Sequence, residues 1–416
     1  MRIIVFEDEI VSRLHPITTG RAAYAVTCGG YRLIDWLRKL QTPLQGIVRP
    51  HLAGIQELDF PDLTASPNGD DESALLVNAR LVPSVSVFRA LQRLTKSDRT
   101  SIVRDGDDVA AVVLSNGTSA PDGQLGVANL RDYFGHADVD NLDELSDVRL
   151  PLFQYPHDVV RHHMEIIDEG LAYRIAEGGY VEIADGVFAA DGATLGEYVV
   201  TDTSEGPIVL DKDASVGSHS YLCGPALLGR KCKVKEHAAV KDRVALGHTT
   251  KIGGEIESSI VEPYTNKQHH GFLGHCYLGS WINLGAGTCN SDLKNTYGKI
   301  NMEYDGERVE TGMQFLGCIM GDYSKTAINT GIFTGKTIGV CSMVYGFVTT
   351  NVPSFVNYAR SFGQVTELPP QVMQQTQQRM FARRTVEQRP CDIRLLHDMF
   401  ELTRHERQLA GDPLSL

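Results

Sequence analysis

Aliphatic residues recur every six positions through the middle of the chain: Val216, Leu222, Leu228, Val234, Val240, Leu246 and Ile252. Gly217, Gly229, Gly247 and Gly253 follow four of them, and small or β-branched residues (Ser220, Ala226, Cys232, Ala238, Val244, Thr250) stand four places on. An α-helix repeats every 3.6 residues and a strand every two, so neither produces this beat. A coil with three short flat faces does, turning one aliphatic residue inward per face. The spacing therefore predicts a parallel β-solenoid. The beat returns in Phe272, Leu278 and Leu284, and again in Met320, Thr326, Ile332, Ile338 and Val344. A weaker lead-in is Val181, Val187, Ala193 and Val199. The phase breaks at about 258–271 and 290–313. Insertions in a solenoid cluster on the functional face, so chemistry is expected at the breaks.

Residues 1–165 lack the beat and alternate strand-like with helix-like segments, which predicts an α/β domain. Arg2–Phe6, Gly46–Arg49 and Ala74–Asn78 read as strands, Arg32–Leu40 and Val85–Leu94 as helices. Thr100–Arg104 and Val109–Leu114 flank Asp105-Gly106, a hairpin signal. Residues 61–73 are turn-rich and read as an exposed loop, and His157–Glu169 as an amphipathic helix joining the domains. The division expected is 1–165, an α/β domain; 176–355, the solenoid; and 356–416, a helical tail. In the tail Gln371–Gln388 and Cys391–Ala410 read as helices split by Pro390. Its arginines (Arg379, Arg383, Arg384, Arg389) either cap the solenoid in solvent or help bind an acidic cofactor.

The chain has 416 residues, 42% hydrophobic and 22% charged, enough for two or three globular domains. Its net charge of −13 argues against nucleic acid as a main partner. No run of about 18 apolar residues and no basic-then-apolar leader is present, so a soluble, cytoplasmic protein is expected. The eight cysteines form no CxxC pair and read as small, reduced core residues.

The middle of the chain resembles the left-handed parallel β-helix of the hexapeptide-repeat acyltransferases over about residues 178–355. The first break reads Asn266-Lys267-Gln268-His269-His270-Gly271-Phe272-Leu273-Gly274, and the following run ends Asn283-Leu284-Gly285-Ala286-Gly287-Thr288-Cys289-Asn290. This is similar to the acetyl-transfer site of the bifunctional N-acetylglucosamine-1-phosphate uridylyltransferase/glucosamine-1-phosphate acetyltransferases. The resemblance places His269 on the catalytic histidine, Phe272 on the aromatic, and Asn283 and Asn290 on the two asparagines. The chemistry asks for such a set. A neutral amine attacks a thioester, a histidine takes its proton, and fixed donors hold the oxyanion. Gly285, Ala286 and Gly287 are expected to supply backbone donors on the acetyl-CoA side. Lys267, Lys294 and Lys299 lie in or beside the breaks as cations for a sugar phosphate, and Lys241 stands where the family has an arginine. Glu257 falls where bacterial relatives carry a lysine. As plain structure, His269 and His270 are corner-loop residues and Asn283 a ladder residue. In the second break, Lys299–Tyr304 and Glu307–Glu310 around Asp305-Gly306 read as a hairpin, expected to wall the acceptor pocket. The resemblance implies a homotrimer with sites between neighbouring solenoids, and a place in UDP-N-acetylglucosamine biosynthesis.

The first 40 residues resemble the start of a sugar nucleotidyltransferase. Where relatives have a Gly-rich loop and a Pro-Lys pair, this chain has Phe6-Glu7-Asp8-Glu9 and Ala22-Ala23. Three acids repel a triphosphate. Where relatives end a strand in Gly-Asp to bind Mg²⁺, Ala79-Arg80 stand here, and an arginine binds no metal. Arg13, Arg21 and Arg80 are left as candidates for holding an anionic nucleotide sugar, with or without turnover.

Three functions follow. The first is acyl-CoA-dependent N-acetyl transfer to an amino-sugar phosphate resembling glucosamine-1-phosphate. The second is a non-catalytic sugar-nucleotide binder. The third is a γ-class carbonic anhydrase using zinc on His237, His270 and His275, a reading that leaves the Asn-x-Gly-Ala-Gly-Thr block without a role.

Overall fold

The computed structural model describes residues 1–63, 73–115 and 142–409. Of the turn-rich stretch 61–73, residues 64–72 lie outside the described residues, as do the last residues of the tail. The chain divides into two compact units. The first comprises 1–14, 21–27 and 31–155, and the second 15–20, 28–30 and 156–416.

Among the described residues, the first unit is built on a six-stranded sheet. Its strands are β1 (Arg2–Phe6), β2 (Leu44–Ile47), β3 (Ala74–Asn78), β4 (Ser101–Asp105), β5 (Asp108–Leu114) and β6 (Asp143–Glu144), in the order β2-β1-β3-β5-β4-β6. β1 runs parallel to β2 and β3, and β5 is antiparallel to β3 and β4. β1 and β3, mostly apolar, are buried along their whole length, as central strands of a covered sheet must be. Helix Val85–Leu94 begins where the Ser84 hydroxyl accepts from the Val87 amide at 3.1 Å. The Asp105-Gly106 turn joins β4 to β5, with Gly106 at φ +63°.

The second unit contains a parallel β-solenoid followed by helices. Successive beats fall on successive faces. Leu210, Leu228, Leu246, Val261, Leu278, Met320 and Ile338 stack in register on one face. Val216, Val234 and Ile252 stack on the second, and Leu222, Val240, Ile256 and Leu273 on the third. Three faces of six residues give the coil, and burying each leucine or valine in that column contributes about 1.5–3 kcal/mol.

The region 258–271 is not a gap in the solenoid. The interior runs on through Ile256, Val261 and Lys267, with the spacing shortened to four residues after Ile252 and five after Ile256. These two steps slip the phase by three, and a further five-residue step separates Leu273 from Leu278, so Leu273 points inward and Phe272 outward. Val181 is exposed, because Val181–Ala184 pairs antiparallel with Val187–Ala189 and lies outside the coil. The second interruption is an insertion, with an antiparallel hairpin Asn301–Tyr304/Glu307–Glu310. A helix spans Pro156–Ala176, longer than its apolar periodicity indicated.

The solenoid continues to Tyr358, whose ring is buried in the core. Beyond it, Pro370–Ala382, Pro390–Leu402 and Arg404–Leu409 are helices. The first two are separate, as expected, and Pro390 opens the second, since a missing N–H costs nothing in the first turn. The tail is packed. Phe381 sits 4.4 Å from Trp281, which stacks on Tyr264 at 4.1 Å, and Met373, Leu395, Leu396 and Met399 are buried.

Candidate functional site

Three corners separate the solenoid faces, and two bracket the strand Phe272–Gly274. At the corner before it, His269 and His270 are exposed. At the corner after it stands His275, in the left-handed region at φ +50°. Its Nδ1 lies 2.9 Å from Asp292 Oδ2, and its ring stacks on Phe315 at 5.3 Å. An ionised carboxylate only accepts, so Nδ1 carries the proton and Nε2 is the basic nitrogen. Gly274 makes room for this arrangement: a Cβ there would lie 2.2 Å from Asp292 Oδ2 and 2.6 Å from the Phe272 ring. This dyad was missed because the sequence offered His275 only as a metal ligand. The coil register, once fixed, puts both residues at one corner.

The outward side chains of the same face continue the site. Lys241 Nζ meets Glu255 Oε1 at 2.5 Å, and that bond raises the ammonium's pKa. Burial raises the Glu257 carboxyl, with Asp242 and Asp292 adding to the effect against His275 and Lys241. Cys289 is exposed, against the reading of the cysteines as core residues, and its sulfur accepts from the Phe272 amide at 3.3 Å.

Several expected residues are committed elsewhere. Lys267 occupies an interior position, in register with Ile252, and is 2% exposed. Its Nζ donates to the carbonyls of Gly253 (2.7 Å), Gly271 (2.8 Å) and His269 (3.3 Å), and burial lowers its pKa to about 8. It faces no acceptor sugar. Asn290 is also interior; its amide brackets Gly274, accepting from N at 2.9 Å and donating to O at 3.0 Å. The Gly285 and Gly287 amides donate to Thr326 O and His270 O. A Cβ on Gly287, at φ +76°, would lie 2.1 Å from Asn329 Oδ1. The glycines of that block are therefore demanded by coil-to-coil contact, with Ala286 between them. Asn283 is exposed, on the rung between Asn266 and Lys325. Lys294 and Lys299 lie in the insertion, where Lys294 Nζ donates to Lys299 O at 2.7 Å.

The three histidines of the zinc reading stand apart. His237 stacks on His219 at 5.3 Å, His270 is exposed before the strand, and His275 follows it bound to Asp292. Among the described residues no group of three or more His, Cys, Asp or Glu is placed to hold a metal ion.

In the first unit, the acids after β1 do not face open space. Glu7, fully buried, accepts from Arg49 N (3.0 Å) and Nε (2.9 Å) and from the Ala23 amide (2.9 Å). Arg80, also fully buried, binds Asp8 Oδ2 (2.7 Å), Asp108 Oδ2 (3.0 Å) and Phe153 O (2.7 Å). Its guanidinium fills the space between two carboxylates. The residues present do not fit a divalent cation there, and Arg80 is spent as a nucleotide contact. Arg13 is exposed.

Residues 3–176 match the family described as sugar nucleotidyl transferase. The chain is similar to the bifunctional GlmU-type proteins, in divergent form. A bifunctional sugar-1-phosphate nucleotidylyltransferase/acetyltransferase from Sulfurisphaera tokodaii is 25% identical over 149 residues, covering 35% of this chain and 37% of that protein. The bifunctional protein GlmU of Synechococcus elongatus is 26% identical over 149 residues, covering 36% and 25%. The chain thus spans well under half the length of these curated relatives. Among solved structures, a Francisella novicida UDP-N-acetylglucosamine acyltransferase aligns at 16% identity and TM-score 0.29, over 55% of this chain and 82% of that one. The acetyltransferase domain of PglB from Neisseria gonorrhoeae aligns at 13% identity and TM-score 0.19, over 46% and 60%. Among the described residues no helix is long and apolar enough to cross a membrane.

Proposed function

We propose that the solenoid transfers an acetyl group from acetyl-CoA to the amine of an amino-sugar phosphate resembling glucosamine-1-phosphate, in nucleotide-sugar biosynthesis. The observation that carries this is the coil 266–290, where His269 precedes the outward Phe272 and Asn283 stands on the rung after Asn266. The neutral amine nitrogen attacks the thioester carbonyl. His269 takes its proton as the C–N bond forms; collapse of the tetrahedral oxyanion breaks the C–S bond, and His269 returns the proton to the leaving sulfur, releasing CoA as the thiol. Asn283 orients the acyl or sugar amide, and Lys294 and Lys299 face the sugar phosphate from the insertion. Neighbouring solenoids of a homotrimer would complete the pocket, and the protein would work in the cytoplasm.

A second reading has its own support. The Arg80 bridge closes the place where nucleotidyltransferases bind Mg²⁺, which favours a first unit that holds a nucleotide sugar without turning it over.

The test is thiol release from acetyl-CoA in the presence of glucosamine-1-phosphate, galactosamine-1-phosphate and related acceptors. Free CoA with one acceptor is the expected result. Release with none would leave the sugar-nucleotide binder.

A further inference from the structure

The second face of the solenoid carries an outward column in register: Ser215, Lys233, Lys251, Asn266, Asn283 and Lys325. Neighbouring rungs of a parallel sheet lie about 4.8 Å apart. Lys233 and Lys251 are therefore held side by side by backbone pairing rather than by choice of their own side chains. The tail returns to this column. Arg384, just past the helix Pro370–Ala382, donates from its guanidinium to Asn266 Oδ1 at 2.8 Å, and Arg383 precedes it.

Among the described residues no acid pairs with these cations. Among the described residues none of Lys233, Lys251, Arg383 and Arg384 makes an ion pair, and Lys235 beside them meets only its sequence neighbour Glu236, at 3.3 Å. Burial lowers the Lys251 ammonium's pKa, and Arg384, Lys233, Arg383 and Lys235 lower it further. Arg384 is lowered in the same way, by burial and then by Arg383. In a chain of net charge −13, an unpaired cluster of four cations on one face is not background. Like charges held together cost free energy that a multivalent anion would offset. A planar guanidinium fixed at one edge by an amide, with its other donors open, suits phosphate oxygens.

We propose that Lys233, Lys251, Arg383 and Arg384 form a binding site for the phosphoryl end of a substrate of the solenoid. Asn266 bears Arg384 and is the rung next to Asn283, so an anion here reaches the acyl-transfer coil along one face. The chemistry is a diphosphate or phosphomonoester, carried either by the CoA donor or by the sugar-phosphate acceptor. This inference rests on the acyl-transfer reading only for the identity of that substrate.

Calorimetry on the full chain, with adenosine 3′,5′-bisphosphate and with glucosamine-1-phosphate as separate probes, reads the site without turnover. One probe is expected to bind, and Arg383→Gln/Arg384→Gln to weaken it about tenfold or more with a shallower salt dependence. Lys251→Gln lies on a solenoid rung and is expected to show the same loss, which separates ligand binding from any unfolding of the tail. In steady state, KM for acetyl-CoA should rise with kcat unchanged, while acetyl-pantetheine, which lacks the phosphates, is unaffected; that outcome assigns the donor. A rise in the acceptor's KM alone assigns the acceptor. Wild-type protein that binds neither probe, or variants that bind as wild type does, would overturn the site. Arginine-dependent binding without thiol release keeps the site and removes the acyl-transfer reading. Thiol release with unaffected variants does the reverse.

Discussion

Arg80 and Lys267 show how one side chain can redirect a site. Arg80 holds two carboxylates inside the first unit, so Arg80→Ala leaves Asp8 and Asp108 without their partner. Breaking a buried ion pair from one side costs about 3–5 kcal/mol, and the denaturant midpoint of the variant is expected to fall accordingly at unchanged slope. Lys267 carries the opposite linkage. Its folded pKa of about 8 lies below the unfolded value. Between pH 8 and about 10.5 the unfolded chain therefore binds the extra proton, and stability rises with pH across that window. Lys267→Met should remove this rise, on the order of 3 kcal/mol, in urea unfolding measured from pH 7 to 10.5. At the residue scale the structure commits several of the candidate residues to the solenoid itself. Lys267 sits in the expected break, yet no local signal says that its rung faces inward. Asn290 matches the resemblance, yet its amide is consumed by Gly274.

The helix Pro156–Ala176 shows the same dependence on packing at the scale of an element. His163 is fully buried; its Nδ1 accepts from the Gly29 amide at 3.0 Å and its Nε2 lies 2.8 Å from Arg243 O. Both contacts fix the neutral ring, and burial lowers its pKa to about 4. As pH falls from 6.5 to 4 the unfolded chain gains a proton that the folded one refuses, so this helix loses stability in that window. The loss is on the order of 3 kcal/mol. Far-UV circular dichroism is expected to show earlier acid unfolding in wild type, relative to its neutral-pH stability, than in His163→Gln. Element existence was largely legible: five of the six described strands of the first sheet, the helix Val85–Leu94, the hairpin of the insertion and the solenoid coils follow from periodicity and turn chemistry, while the two-residue strand Asp143–Glu144 does not. The shortened steps after Ile252, Ile256 and Leu273 were not legible, because the last of them exchanges Phe272 for Leu273 and either looks apolar enough to be inside. The tail read as helix, but its docking through Phe381 onto Trp281 and Tyr264 joins residues far apart in sequence.

For the whole molecule, two activities are at issue. His269→Ala is expected to lower thiol release at least about 100-fold without changing the oligomer seen by sedimentation; unchanged kcat would move the base to another group, with His275 the first to test. The first unit is expected to release no pyrophosphate from UTP and a sugar phosphate in the presence of Mg²⁺, measured by a coupled phosphate assay, because Arg80 occupies the ground between Asp8 and Asp108. Robust release would show that this bridge opens.

The sequence by itself determined the solenoid, since a six-residue beat permits few other shapes. It also determined the α/β character of the first unit and the stretch in which the candidate site lies. Only the tertiary structure decided which residues of that stretch reach solvent, because inside and outside alternate over single residues. It decided that the glycines of the 285–287 block serve contact between coils, that His275 is oriented by Asp292, and that Arg80 is sealed between carboxylates. It also set the tail's Arg384 on Asn266, 118 residues away. Local pattern records how each segment buries itself, whereas a site is made by segments that meet only when the coils are stacked.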